Sequence, residues 1–129
     1  MSWKIIFHDD FELEFDELTE AVQNECLAHL KVLEKFGPEL GRPHVDTLKG
    51  SKHSNIKELR FNADNGVWRL AFAFDPTRKA ILLVCGDKSG GSEKRFYKDL
   101  IKKADQRFES HLSGSKNEVY HEQITESKN

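Results

Sequence analysis

An Asn65-Gly66 pair separates two runs rich in alternating apolar residues, about Asn55 to Asn62 and Val67 to Phe74. Both residue types accept the positive φ of a tight primed turn, so the pair predicts a β-hairpin. A turn this short fixes register: with Asn65 and Gly66 as its two central residues, Asp64 pairs with Val67, Asn62 faces Arg69 and Arg60 faces Ala71. Side chains alternate along a strand, so Leu59, Phe61 and Ala63 share one face with Trp68, Leu70, Phe72 and Phe74. The opposite face carries Arg60 and Arg69 as diagonal neighbours, roughly 7–8 Å apart. At that spacing both guanidinium groups reach one phosphate. A three-residue loop would reverse the parity and drive Arg69 into the core, which the apolar pattern opposes.

Period and punctuation organise the rest of the chain. Trp3 to His8 reads as a short strand, and Asp9 or Asp10 caps a short helix ending near Leu18. Thr19 is an N-cap for a second helix, whose apolar stripe is Val22, Cys26, Leu30, Leu33 and Phe36. Gly37-Pro38 ends it, and a Gly/Pro-bearing loop leads to the hairpin. A third strand, Ala80 to Gly86, follows the turn Asp75-Pro76-Thr77-Arg78; its run Ile81-Leu82-Leu83-Val84 lacks alternation, which predicts a strand that is central or covered on both faces. Gly90-Gly91-Ser92 opens a last helix with Phe96, Leu100, Ala104 and Phe108 as its buried stripe. The expectation is one small α+β domain over residues 1–112, with a polar, disordered tail over 113–129.

The net charge of -2 hides a division along the chain. Residues 1–41 carry 3 basic and 10 acidic side chains, whereas residues 42–112 carry 15 and 9. Such asymmetry predicts an acidic face and a separate basic one. No segment reads as a signal peptide or a membrane span, so a soluble cytoplasmic protein with no membrane partner is expected. Cys26 and Cys85 have neither redox nor zinc spacing and read as reduced, apolar thiols. His8, His29, His111 and His121 show no ligand spacing to one another, so no metal and no cofactor are expected.

Taken in order, Gly37-Pro38, Gly41-Arg42-Pro43-His44-Val45, Leu48-Lys49-Gly50-Ser51, Lys57-Glu58-Leu59-Arg60, Trp68-Arg69, Phe72-Ala73-Phe74-Asp75-Pro76 and Gly86-Asp87-Lys88 resemble the HigB-like branch of the RelE/ParE toxin superfamily. The likeness continues through Phe96-Tyr97, Leu100-Ile101 and Ala104-Asp105, covering residues 3–112. It implies a RelE-like fold, a twisted antiparallel sheet packed against N-terminal helices with a C-terminal helix added. It also implies a toxin of a type II toxin–antitoxin system, a metal-independent endoribonuclease acting on mRNA in the ribosomal A site, and a HigA-like helix-turn-helix antitoxin as partner. The same superfamily fold hosts gyrase inhibitors of the ParE type, so that function stays open, as does an inactive, phage-derived nucleic-acid-binding module.

Metal-free RNA cleavage uses the substrate's own 2′-hydroxyl, so the protein must align it, stabilise charge on the phosphate and manage two protons. Arg60 and Arg69 suit the phosphate, since guanidinium is always charged and forks onto it; Ala71 and Ala73 alongside would leave room for a backbone to approach. Their alternative is a solvated sheet face, paired with Glu58 and Asp64. Lys49 in its Lys-Gly-Ser loop, and Lys88 beside Asp87, are the supporting candidates. His44, His53, Asp87 and Tyr97 are the candidate proton carriers, and Tyr97 could otherwise stack on a base. Lys57, together with Lys94, Arg95 and Lys98 on the last helix, extends the RNA-binding set with phosphate contacts that position without reading sequence.

Overall fold

The computed structural model describes residues 2–114. The tail expected from residue 113 lies outside the described residues from 115 onward, and Ser113 and Gly114 belong to the last helix. In chain order the elements are β1 (Lys4–Phe7), α1 (Asp9–Asp16), α2 (Glu20–Phe36), β2 (Val45–Thr47), β3 (Ile56–Ala63), β4 (Gly66–Asp75), β5 (Lys79–Asp87) and α3 (Glu93–Gly114). The sheet order is β1-β5-β4-β3-β2, with antiparallel neighbours from β5 to β2 and β1 added parallel to β5. Strand β2, inside the expected loop, is too short to carry a periodic signal.

The hairpin forms with its turn one residue earlier than expected. Asp64 and Asn65 take the positive φ values, 52° and 62°, and Ala63 pairs with Gly66. Arg60 therefore stands directly opposite Arg69 and not diagonally. Moving both central residues by one preserves the parity, so the faces are as expected while the pairing is not. Gly66 is needed for closeness instead of φ, because a Cβ there would meet Asp87 Oδ2 and Trp68 Nε1 at 2.7 Å.

One face of the sheet buries Leu59, Phe61, Leu70, Phe72, Ala80 and Leu82 against Phe11 of α1 and Val22, Cys26, Leu30 and Leu33 of α2. Burial of this kind contributes about 1.5–3 kcal/mol for each large apolar side chain. The thiol of Cys26 is pushed up to about 12 by its burial there, so it acts as a small apolar group. His8 caps α1, its Nδ1 accepting from Asp10 N at 3.1 Å, where an aspartate was expected. Thr19 caps α2 through Val22 N. The α2 stripe continues to Gly37 and not to Phe36, which is 46% exposed. At 3.6 residues per turn position 37 follows 33, and Trp3 fills that space; a Cβ on Gly37 would overlap its indole.

The other face is covered too, by α3. Ile56, Ala71, Ala73, Ile81, Leu83 and Val84 pack against Leu100, Ala104 and Phe108. Leu82 points into the first core and Ile81, Leu83 and Val84 into this one, the last two on the same side because of a bulge at Leu83, so burial on both faces explains the run without alternation. Ala71 and Ala73 are fully buried under this helix, so they do not leave room for a nucleic-acid backbone. They are small because a helix lies on them. The charge division follows the layers, with the acidic α1 and α2 on one side of the sheet and the lysine-rich α3 on the other. No described helix is long and apolar enough to cross a membrane.

Candidate nucleic-acid interface and active site

Where α3 begins, its cover over the sheet changes from apolar to polar. Alternation along β3 places Glu58 and Arg60 on the α3 side, and Tyr97 on the first turns of α3 comes down over them. Glu58 is only 4% exposed and organises the group. Its Oε2 accepts from Arg60 Nη2 at 2.8 Å and from Arg60 Nε at 3.1 Å, while its Oε1 accepts from the Tyr97 hydroxyl at 2.8 Å. Arg69 Nε donates to Tyr97 Oη at 3.3 Å, and its Nη1 donates to the Trp68 carbonyl at 2.9 Å. From β2, Asp46 Oδ2 accepts from Arg60 Nη2 at 3.3 Å. Two cross-strand arginines facing each other would repel; a buried carboxylate between them removes the conflict.

These residues line a cleft of about 290 Å3, formed by Asp46, Thr47, Leu48, Lys49, Glu58, Arg60 and Tyr97. Arg60 Nη1 has no hydrogen-bond partner among the described residues, and Lys49 is exposed at the rim. The hydrogen bond to Glu58 raises the Arg60 pKa further. The Thr47 amide, then Arg42 and Arg60, hold the Asp46 carboxyl below its ordinary value. Burial, then the hydrogen bond to Glu58, pushes the Tyr97 phenol above its ordinary value.

Of the expected site residues the cleft thus gathers Arg60, Lys49 and Tyr97, with Arg69 directly behind Tyr97. Arg69 is 12% exposed along its side chain, so it does not stand on an open sheet face. The others lie elsewhere. Asp87, exposed near the hairpin turn, accepts from Val67 N, Ser89 N and Ser89 Oγ at 2.6–2.9 Å. Its pKa is lowered because those bonds outweigh desolvation. Lys88 Nζ pairs with Glu93 at 2.6 Å. The His44 ring sits 6.3 Å from that of His29 on α2, and His53 pairs with Glu109 at 3.0 Å while packing edge-on to Phe108. Lys57 alternates onto the α2 side of β3, opposite Phe72. Lys94, Arg95 and Lys98 are exposed on the first turns of α3.

Two members of the site were not among the expected site residues, Glu58 as its organiser and Asp46 as its rim. Glu58 was named only as an alternative ion-pair partner, although a carboxylate between Ile56 and Arg60 on one strand face was the available signal. Asp64, named with it, instead accepts from Thr19 Oγ1 at 3.4 Å. A further carboxylate, Asp105 on α3, is 6% exposed and accepts from Ser51 Oγ at 2.5 Å and Lys52 N at 3.1 Å. Those bonds anchor the loop that carries Lys49.

A family model described as phage-derived protein Gp49-like matches residues 13–109. The chain is 47% identical over 87 residues to the putative toxin HigB2 of Mycobacterium tuberculosis, covering 67% of this chain but only 43% of that protein. It is 50% identical over 84 residues to the putative toxin HigB3 of the same organism, covering 65% of this chain and 71% of that one. Among solved structures, a mutant of the E. coli toxin RelE in the free state matches with a TM-score of 0.60 at 13% identity, over 83% of this chain and 98% of that one. The archaeal RelE–RelB complex from Pyrococcus horikoshii matches with a TM-score of 0.50 at 17% identity, over 70% of this chain and 100% of that one. At such identities the likeness is one of fold.

Proposed function

The chain belongs to the Gp49-like family and has a RelE-like fold, and on that premise we propose that it is the toxin of a toxin–antitoxin pair, an endoribonuclease that cuts mRNA on the ribosome. The observation that carries this reading is the cleft, where Arg60, Lys49 and Tyr97 converge beside a buried carboxylate. The reaction needs no metal: the 2′-oxygen attacks the adjacent phosphorus, the bond to the 5′-oxygen breaks, and a 2′,3′-cyclic phosphate and a 5′-hydroxyl result. Arg60, through Nη1, and Lys49 bind the scissile phosphate and stabilise its transition-state charge. Arg69 supports Tyr97 from behind. Lys88, Lys94, Arg95 and Lys98 add contacts to neighbouring phosphates on the α3 side, where position and not sequence is recognised. The partner is a HigA-like antitoxin, in keeping with the solved relative found in complex with RelB, and the place of action is the cytoplasm.

The test is induced expression in a bacterial host with the 5′ ends of mRNA mapped during growth arrest, beside an assay of purified gyrase. Cut, translated mRNA with unaffected gyrase is expected, and Arg60→Ala should abolish the cutting in a folded protein. Growth arrest with intact mRNA overturns the reading.

A further inference from the structure

The two edges of the sheet differ in how their outward backbone groups are met. At the β2 edge, Arg60 N donates to the His44 carbonyl at 2.8 Å and Leu48 N to the Ile56 carbonyl at 3.1 Å, so alternation turns Val45 and Thr47 outward. Both outward amides are capped from within the chain, Val45 N by the Gly41 carbonyl at 3.1 Å and Thr47 N by Asp46 Oδ1 at 2.8 Å. At the β1 edge, Lys4 N donates to the Arg78 carbonyl at 3.0 Å and His8 N to the Leu82 carbonyl at 2.9 Å, so Ile5 and Phe7 turn outward. Among the described residues the amides and carbonyls of these two have no hydrogen-bond partner. An edge left open in this way is a template for another strand. Its side chains are half-buried on both sides, Ile5 and Phe7 toward α1 and α2 and Ile6 toward α3.

We propose that a second copy of this chain fills the β1 edge, the two β1 strands pairing antiparallel about a two-fold axis at Ile6 and joining two five-stranded sheets into one. Charge selects this occupant. The start of β1 is basic, with Lys4 beside Arg78 and Lys79 of β5. Its end runs directly into Asp9, Asp10 and Glu12 of α1, and no Lys or Arg occurs from residue 5 to residue 30. A two-fold axis reverses one strand against the other, so the basic start of each copy meets the acidic end of its partner; parallel strands would set acid against acid. In this register Ile5 and the partner's Phe7 exchange both their backbone hydrogen bonds, which satisfies every outward group of the edge. The same pairing sets an isoleucine against a phenylalanine ring on the side of α1 and α2, an aromatic and β-branched pair of the kind that stabilises sheets. Lys4 then stands opposite the partner's His8, next to the partner's Asp9 and Asp10. Strand β3, with Glu58 and Arg60, lies three strands in from this edge. The two clefts are therefore seven strand spacings apart, about 34 Å along the joined sheet, and both stay open.

The experiment is sedimentation velocity on the full chain from about 1 to 300 µM, with amide hydrogen exchange recorded at both extremes and circular dichroism on every variant. A monomer–dimer equilibrium with a Kd of about 10–100 µM is expected, as for a small interface. Exchange at Ile5 and Phe7 should slow about three- to eightfold in the concentrated sample, the inverse of the remaining monomer fraction, while Thr47 is unchanged. Lys4→Glu alone, and Asp9→Lys with Asp10→Lys, should each weaken the dimer at least about tenfold; all three sites are exposed. The chain carrying all three substitutions should regain most of the wild-type affinity, because reversing both ends restores the match. Should the α1 substitutions unfold the chain, salt serves instead, since raising NaCl from about 50 to 500 mM should weaken the wild-type dimer. A monomer at every concentration overturns the proposal. So do amides at Ile5 and Phe7 that already exchange slowly in dilute, monomeric protein, which would give the edge to residues 115–129, and protection seen only beside a co-expressed antitoxin, which would give it to that partner. A dimer unmoved by these charge substitutions, or by salt where they do not fold, lies on another face and overturns it as well. None of these readouts involves mRNA, so this proposal and the cleavage reading fail separately.

Discussion

Strands β3 and β4 present Leu59, Phe61, Leu70 and Phe72 to the side of α1 and α2, and one residue out of phase they present Glu58, Arg60 and Arg69 to the side of α3. The first face is satisfied by burial alone, since apolar area has no directional demand. The second works only if every buried polar atom finds a partner, and among the described residues no buried side-chain nitrogen or oxygen lacks one. Helix α3 matches this division along its own length, placing Tyr97 over the charged end and Leu100, Ala104 and Phe108 over the apolar end. One sheet therefore has a face that is inert by composition and a face whose stability and proposed chemistry depend on the same side chains.

Truncation on each face should separate the two modes. Phe72→Ala opens a cavity in the fully buried core and is expected to cost about 3–5 kcal/mol, read from the denaturant midpoint. Its effect on cleavage should follow the folded fraction alone. Glu58→Ala removes the carboxylate from between two arginines and is expected to cost somewhat less than the about 3–5 kcal/mol typical of broken buried pairs, because Arg60 remains 33% exposed to water. Replacing the pair together, Glu58→Leu with Arg60→Met, should recover most of that stability while cleavage stays abolished. Recovery of both would mean the polar face is structural only.

The face that burial decides was legible in the sequence, and the face that partners decide was only partly so. Alternation in Leu59-Phe61-Ala63 and Trp68-Leu70-Phe72-Phe74 assigned both sides of the hairpin correctly, because parity survives a shift of both turn residues. The turn position itself was misread. Asn-Gly is a strong hairpin signal, but Asp64 also tolerates positive φ, and the close approach of Asp87 and Trp68 over Gly66 places the glycine in the strand. Helix α3 was recognised from its stripe, yet nothing local says which sheet face it covers. Hence the small side chains of Ala71 and Ala73 looked like space for a substrate when they are space for a helix. Arg60, Lys49 and Tyr97 could be nominated from residue type, whereas Glu58 as organiser depends on Tyr97, 39 residues later in the chain.

The Lys49 loop gives a gentler test of the same contrast. Asp105→Ala frees Ser51 Oγ and Lys52 N from the helix and is expected to cost about 1–3 kcal/mol. Hydrogen exchange should rise at the amides of Lys52 and His53, and KM for ribosome-bound mRNA should rise more than kcat falls, since Lys49 would lose its fixed position without leaving the protein. Unchanged exchange in this loop would show that packing of Ile101 beneath Gly50, and not the carboxylate, holds it.

The smallest expected effect concerns a link between the two sides of the sheet. Arg107 of α3 donates to both oxygens of Glu14 on α1, at 2.8 and 2.5 Å, and to the Leu83 carbonyl at 2.8 Å, beyond the point where β1 stops pairing with β5. Arg107 is therefore a strut, although the basic residues nearest to it on α3, Lys102 and Lys103, are exposed. Its hydrogen bond to Glu14 lowers that carboxyl's pKa from an ordinary value near 4.5. A folded-state pKa below the unfolded one means that the unfolded chain binds the proton more readily. The contribution is then fully present above about pH 4.5 and is lost as pH falls through the lower folded value. Glu14 is 43% exposed, so screening limits the pair to about 0.5–1 kcal/mol. Glu14→Gln should lower the unfolding free energy from urea titration by that amount at pH 7 and match wild type near pH 2, whereas the larger deficit of Phe72→Ala should be equal at both. A Glu14→Gln deficit that persists undiminished at pH 2 would show that shape, and not charge, makes this link.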